Sequence, residues 1–217
     1  YVVAVDAERA QAARIVDLID ANKGIPAAGA LSLLQNDPRT QGPKLFEQHC
    51  ASCHNYSAPG DRAILANEVS APELYGFAGR EWIAGLLRPE RIKSDKYFGK
   101  TKFRNGEMAE FVTDIYSDLD AEDEQFLEED LARVVMALSA EARFPWQHER
   151  DAKDARHIEE GRELISDTRG CTDSPSSGVR KCSGGPDLTG YGSQEWIAGI
   201  IADQTDKRFY GKKNDRM

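Results

Sequence analysis

Apolar residues recur along this chain at helical spacing, and the residues between them are those that start and stop helices. Residues 1–24 place Ala12, Ile15, Val16 and Ile19 on one face, with Asp6 positioned as a cap, Gly24 just past the end and Pro26 beyond. Pro26 to Pro38 reads as irregular, and from Gln41 a second helical stretch carries Leu45 and Phe46 forward to Cys50. Trp82, Ile83, Leu86 and Leu87 mark a helix over about 80–88 that stops at Pro89. The strongest pattern is Leu127, Leu131, Val134, Val135 and Leu138, at i, i+4, i+7, i+8 and i+11, a helix over 121–140. Its acidic start, Asp118, Asp120, Glu122, Asp123 and Glu124, suits the positive end of a helix and reads equally as a solvated start or a docking surface. Pro145 to Asp154 is polar, and Ile158, Leu164 and Ile165 resume the helical period. No segment alternates apolar and polar residues between turn signals. The pattern predicts an all-α chain.

The same words appear twice. Pro72, Leu74, Gly76 and Glu81-Trp82-Ile83-Ala84-Gly85 return with unchanged spacing as Pro186, Leu188, Gly190 and Glu195-Trp196-Ile197-Ala198-Gly199. Tyr97-Phe98-Gly99-Lys100 returns as Phe209-Tyr210-Gly211-Lys212, and each block is followed by a methionine, Met108 or Met217. These markers divide the chain into an N-terminal helix and connector (1–37), a first copy (38–143), a linker (144–154) and a second copy (155–217). The second copy stops at its methionine with no counterpart of helix 121–140, so it is expected to be incomplete.

Composition narrows the class. A chain of 217 residues with 40% hydrophobic residues can bury a core or two. A net charge of −9 argues against a nucleic-acid partner and suits a basic protein surface, although it also serves solubility. No run approaches the ~18 apolar residues of a membrane span, and the N-terminus lacks a secretory pattern. The chain opens on Tyr1 rather than Met, which is expected of a piece of a longer protein.

Candidate chemistry concentrates at Cys50-Ala51-Ser52-Cys53-His54. At this spacing each thiol can add across a haem vinyl group, and the histidine after the second thioether is delivered to the iron. A thioredoxin-like dithiol and half of a zinc site use similar spacings. The dithiol is expected beside a βαβ pattern, which is absent, and zinc would need a second ligand pair that the first copy does not offer.

With its flanks, the motif resembles the class I cytochrome c family over about residues 38–143. The match runs in order through Gly42 and Phe46, the Cys50–His54 motif, Ala71-Pro72-Glu73-Leu74-Tyr75-Gly76-Phe77, Gly79-Arg80, a later methionine and a closing amphipathic helix. The resemblance implies a class I cytochrome c fold followed by a second, degenerate and truncated cytochrome c repeat. It implies one haem c bound covalently through Cys50 and Cys53, with His54 as proximal ligand and the Pro72 carbonyl accepting from the other imidazole nitrogen. Arg80 matches a position that steadies a haem propionate. Trp82 reads either as a second such contact or as core packing. Met108 follows the Tyr97-Phe98-Gly99 block outside any apolar stripe and is expected as the sixth ligand, whereas Met136 lies mid-helix among apolar residues and is expected in the core. A His/Met pair raises the potential and leaves no open iron position, which points to electron transfer rather than catalysis. A haem enzyme or gas sensor would need Met108 free or weakly bound. His49 is tied to the residue beside Cys50 and can hardly reach over the ring, and His148 and His157, in or near the polar linker, are expected to be solvated.

The second copy departs from the family at its motif, where Cys171-Thr172-Asp173-Ser174-Pro175 lacks both the second thiol and the histidine, and Gln194 stands where Arg80 does. Two readings remain for 175–184: a degenerate module with a Cys171–Cys182 disulfide, which an oxidising compartment allows, or a short stretch translated out of frame. Gly24 to Leu31, with Asp37-Pro38 and Thr40 to Phe46, resembles the junction that fuses tandem cytochrome c domains to a bacterial cytochrome b. That resemblance implies a quinol-oxidising respiratory complex on the periplasmic side of the cytoplasmic membrane, anchored by an upstream segment. A cytochrome b or Rieske-type subunit would be the donor and a soluble cytochrome or terminal oxidase the acceptor.

Overall fold

A computed structural model describes residues 2–167, 187–209 and 211, which divide into two compact units, Tyr1–Ser70 and Ala71–Met217. Among the described residues the regular structure is helical, apart from one isolated antiparallel bridge between Tyr56 and Ile64. The all-α fold predicted from the pattern is the observed one. No helix among the described residues is long and apolar enough to cross a membrane.

The first unit comprises α1 (Val2–Ala21), α2 (Leu31–Gln35) and α3 (Pro38–His49). α1 begins before Asp6, which therefore lies inside the helix rather than capping it. It ends as expected, with Lys23 and Gly24 at φ 58° and 139°. The stretch from Pro26 to Pro38, read as irregular, contains α2. α3 starts at Pro38, where the missing N–H costs nothing, and Asp37 caps it by accepting from the Thr40 amide at 3.1 Å. The same carboxylate receives Arg14 Nε at 3.0 Å and Nη2 at 2.7 Å, which ties α1 to the start of α3. Hydrogen bonds from Arg14 and then Thr40 hold the Asp37 carboxyl well below the usual carboxylate range.

The second unit begins with the loop 71–79 and α4 (Arg80–Leu86), followed by α5 (Pro89–Ile92), α6 (Glu107–Asp114), α7 (Ala121–Glu141), α8 (His148–Lys153), α9 (Ala155–Asp167) and α10 (Gln194–Ala202). Pro89 does end the Trp82 helix, and it also opens α5 as its first residue. α7 has the expected bounds, with the Asp120 carboxylate accepting from the Glu122 and Asp123 amides at 2.9 Å each. The polar stretch 144–154 is ordered. It holds α8, and Gln147 is 1% exposed while donating to Ser139 Oγ at 3.0 Å.

α9 packs on α7, with ion pairs Arg133–Glu160 (3.3 Å) and Arg162–Glu141 (3.2 Å) across the contact. Gly161 permits the approach, because a Cβ there would lie 2.1 Å from the Arg133 carbonyl oxygen. Gly161→Ala should therefore destabilise the protein. Helix propensity gains about 0.5–1 kcal/mol from alanine, but overpacking costs about 1–3 kcal/mol. Thermal unfolding measures the balance, and an unchanged midpoint would mean that the helices separate without cost.

The sequence repeat is also a repeat of interactions. Trp82 Nε1 donates to the Glu73 carbonyl at 2.9 Å, and Trp196 Nε1 to the Asp187 carbonyl at 3.2 Å. The Glu73 amide bonds the Lys96 carbonyl, and the Asp187 amide that of Arg208, at 2.9 and 2.7 Å. Gly76 and Gly190 turn the chain at φ 75° and 70°. The two copies share one core: the Phe77 ring meets Trp82 at 4.9 Å, Tyr191 at 5.4 Å and Trp196 at 6.4 Å between centroids. Gly192 lies so close to Ala78 that a Cβ on it would fall 2.1 Å from the alanine's. Cys171, Ser174, Pro175, Cys182, Pro186 and Met217, and the readings that rest on them, lie outside the described residues.

Candidate functional site

α3 delivers the cysteine motif. The helix ends at His49, and the chain continues to turn: the Cys50 and Ala51 amides both bond the Phe46 carbonyl, at 2.8 and 2.9 Å. The Cys53 and His54 amides then bond the Cys50 carbonyl at 3.1 and 2.9 Å. This one helix-like turn puts Cys50, Cys53 and His54, spaced i, i+3 and i+4, on the same side of the chain. Both thiols are free and half-buried. They differ in acidity. Burial pushes the Cys50 thiol up, while hydrogen bonds from Ser70 and then Ser52 draw that of Cys53 down. The Ser70 amide also donates to the Cys53 carbonyl at 3.1 Å, closing the loop behind the motif.

In the second unit, the loop containing Pro72 is held from two sides by the amide and the carbonyl of Glu73, through Lys96 and Trp82 respectively. Tyr97, 1% exposed, donates its hydroxyl to the Trp82 carbonyl at 3.0 Å. Arg80 is the first residue of α4 and 7% exposed. Its Nη1 reaches Asp154 at 2.5 Å and its Nη2 reaches Asp151 at 2.6 Å, while Nε is buried without a partner. Burial opposes its charge, but bonds to Asp154 and Asp151 outweigh burial and raise its pKa, and Arg80 in turn lowers that of Asp154. Met108 occupies the first turn of α6, half-buried against the aromatic core.

Residues 40–135 match the family model of cytochrome c. This segment is a cytochrome c domain. No curated protein and no solved structure matches the chain. Cytochrome c domains bind haem covalently, and Cys50 and Cys53 stand where that attachment is made. Such domains carry out haem-based electron transfer and are typically extracytoplasmic.

The residues present fit the group. α3 buries none of its residues, and Leu45 is 52% exposed, so the helix offers apolar surface for a large planar ligand to cover, at roughly 1.5–3 kcal/mol per large side chain. Phe46 stands beside it, its ring 5.7 Å from that of Tyr56. The competing chemistries do not fit. Among the described residues no three His, Cys, Asp or Glu side chains gather as metal ligands, and no βαβ unit accompanies the dithiol.

Several residues differ from their reading in sequence. Trp82, read either as a propionate contact or as core packing, is 4% exposed and donates its indole N–H to the Glu73 carbonyl, which holds the Pro72 loop. Met108, read as lying outside any apolar stripe, is in a helix whose Ala109 and Val112 are buried. Met136, expected in the core, is only half-buried. His148 and His157 are exposed, as expected, and His49 is exposed as well. Sequence reasoning missed Ser70, Asp151 and Asp154. The two aspartates lie outside the family match, and nothing local marks them as partners of a residue more than 70 positions away.

Proposed function

We propose that this cytochrome c domain moves single electrons through a six-coordinate haem, as the cytochrome part of a quinol-oxidising membrane complex on the periplasmic face. The turn that presents two unbridged thiols and the following imidazole on one side carries this reading. When bound, the group supplies an iron centre that exchanges one electron without bonding substrate. His54 would hold that iron, and the Pro72 carbonyl would accept from the second imidazole nitrogen, which would fix the ring and its tautomer. Met108 would be its second protein ligand, through a soft thioether that favours the ferrous state. Arg80 Nε, one of two buried side-chain donors without a protein partner among the described residues, the other being Arg162 Nε, would serve a haem carboxylate. A cytochrome b or Rieske-type subunit supplies the electron, and a soluble cytochrome or terminal oxidase takes it.

Reduced-minus-oxidised spectra with and without carbon monoxide test the reading. The holoprotein should give a low-spin spectrum that carbon monoxide leaves unchanged. Rapid carbon monoxide binding would mean an open iron position and would favour a haem enzyme or gas sensor.

A further inference from the structure

Arg80 is the only buried lysine or arginine among the described residues, and it is bound on two sides by carboxylates from outside the cytochrome c match. Asp151 lies within α8 and Asp154 is its C-cap. Both are fixed by other bonds. Gln147 Nε2 donates to each Asp151 oxygen at 3.1 Å and is anchored on Ser139 of α7, while the Asp154 carbonyl accepts from the Ile158 amide at 3.0 Å at the start of α9. The side chains of Asp151 and Asp154 are 18% and 29% exposed. The guanidinium is thus held at both terminal nitrogens. Nη1 and Nη2 each have a carboxylate partner, whereas Nε is the buried guanidinium nitrogen with none, and native proteins seldom leave such a donor unmatched.

We propose that Asp151 and Asp154 are positioning residues that set the haem reduction potential through Arg80. They hold its terminal nitrogens and leave Nε, the nitrogen without a partner, for a haem carboxylate, and they screen its charge from the iron. The proposal rests on the reading above that Arg80 serves that carboxylate. One cation and two anions leave the trio with a net charge of −1, in surroundings where charges act more strongly than in water. The oxidised centre carries one positive charge more than the reduced one. The two aspartates therefore stabilise the oxidised form and lower the potential, and Arg80 opposes them. The stretch that joins the two copies thus acts on the electron carrier of the first.

The test is potentiometry and thermal unfolding of the holoprotein with Asp151→Asn/Asp154→Asn, Arg80→Gln and the triple variant. Asparagine keeps the shape and an acceptor oxygen but removes the charge. The double aspartate variant should shift the redox equilibrium about tenfold towards the reduced form, roughly 59 mV for one electron. Arg80→Gln should shift it the other way, and in its background the aspartate substitutions should shift the potential less, because the part of their effect that comes from positioning Arg80 is gone. If the double variant does not fold, Asp154→Asn alone, at the more exposed carboxylate, should shift the potential in the same direction. An unchanged potential in Arg80→Gln would remove the Arg80 reading and the proposal with it. If Arg80→Gln shifts the potential while the aspartate variants change only the unfolding temperature, or shift the potential equally with and without Arg80, the Arg80 reading stands and the clamp is merely structural.

Discussion

Met108→Ala lowers the reduction potential, abolishes the absorption that arises from charge transfer between a methionine sulfur and ferric iron, and lets carbon monoxide bind. A thioether stabilises ferrous over ferric iron, and water or hydroxide in its place does not, so the redox equilibrium should move by at least about a hundredfold, roughly 120 mV for one electron. The substitution also removes a half-buried side chain from the edge of the second unit's core, so some loss of stability accompanies it. The spectrum separates the two effects, because a packing change alone leaves the sulfur–iron absorption in place. Met136→Ala on α7 is the control and should leave the spectrum unchanged. If Met136→Ala loses the absorption and Met108→Ala keeps it, the ligand comes from α7.

Iron quantitation against protein mass gives one equivalent per chain, and intact mass after acid treatment gives one covalent haem. The first copy has two thiols and a histidine in one turn, whereas the second has Cys171 followed by Ser174 and Pro175 at the corresponding positions. A thioether needs a thiol, and neither serine nor proline can supply one or replace the imidazole. His157 is exposed on α9 and precedes the second motif, on the wrong side for a proximal ligand. Cys50→Ser with Cys53→Ser should remove all covalent haem from the chain. Two covalent haems in the unsubstituted protein, or one retained after both serines are introduced, would show that the second copy binds haem after all.

The elements that could be read from sequence are those whose stabilisation is local. α7 is visible because an apolar stripe, an acidic first turn and the Asp120 cap lie within one stretch. The cysteine motif is visible because its chemistry depends on spacing alone. α2, α6 and α8 are short, and α8 has no apolar stripe to mark it. Its ties run to distant residues, through Gln147 to Ser139 and through Asp151 to Arg80. Trp82 illustrates the same limit: its indole N–H could serve a cofactor or a backbone carbonyl, and only the fold of the 71–79 loop decides for Glu73. Composition made 144–154 look like a tether because polar residues dominate it. In the structure several of those polar groups are themselves the fastening.

The contact between Ala78 and Gly192 bears on how the second copy changed. Tyr191, Gly192 and Trp196 cover the Phe77–Ala78 corner of the first copy, so they are part of its interior as much as of their own. Substitutions there would damage both copies at once, whereas loss of a thiol or an imidazole from the second motif leaves this core intact. Natural selection on the pair therefore acts unevenly. Drift can erase the redox chemistry of the second copy, but deleting its body would strip the cover from its neighbour. The two copies have the Trp-Ile-Ala-Gly words in common, whereas Ser174 and Pro175 stand where the first copy has Cys53 and His54.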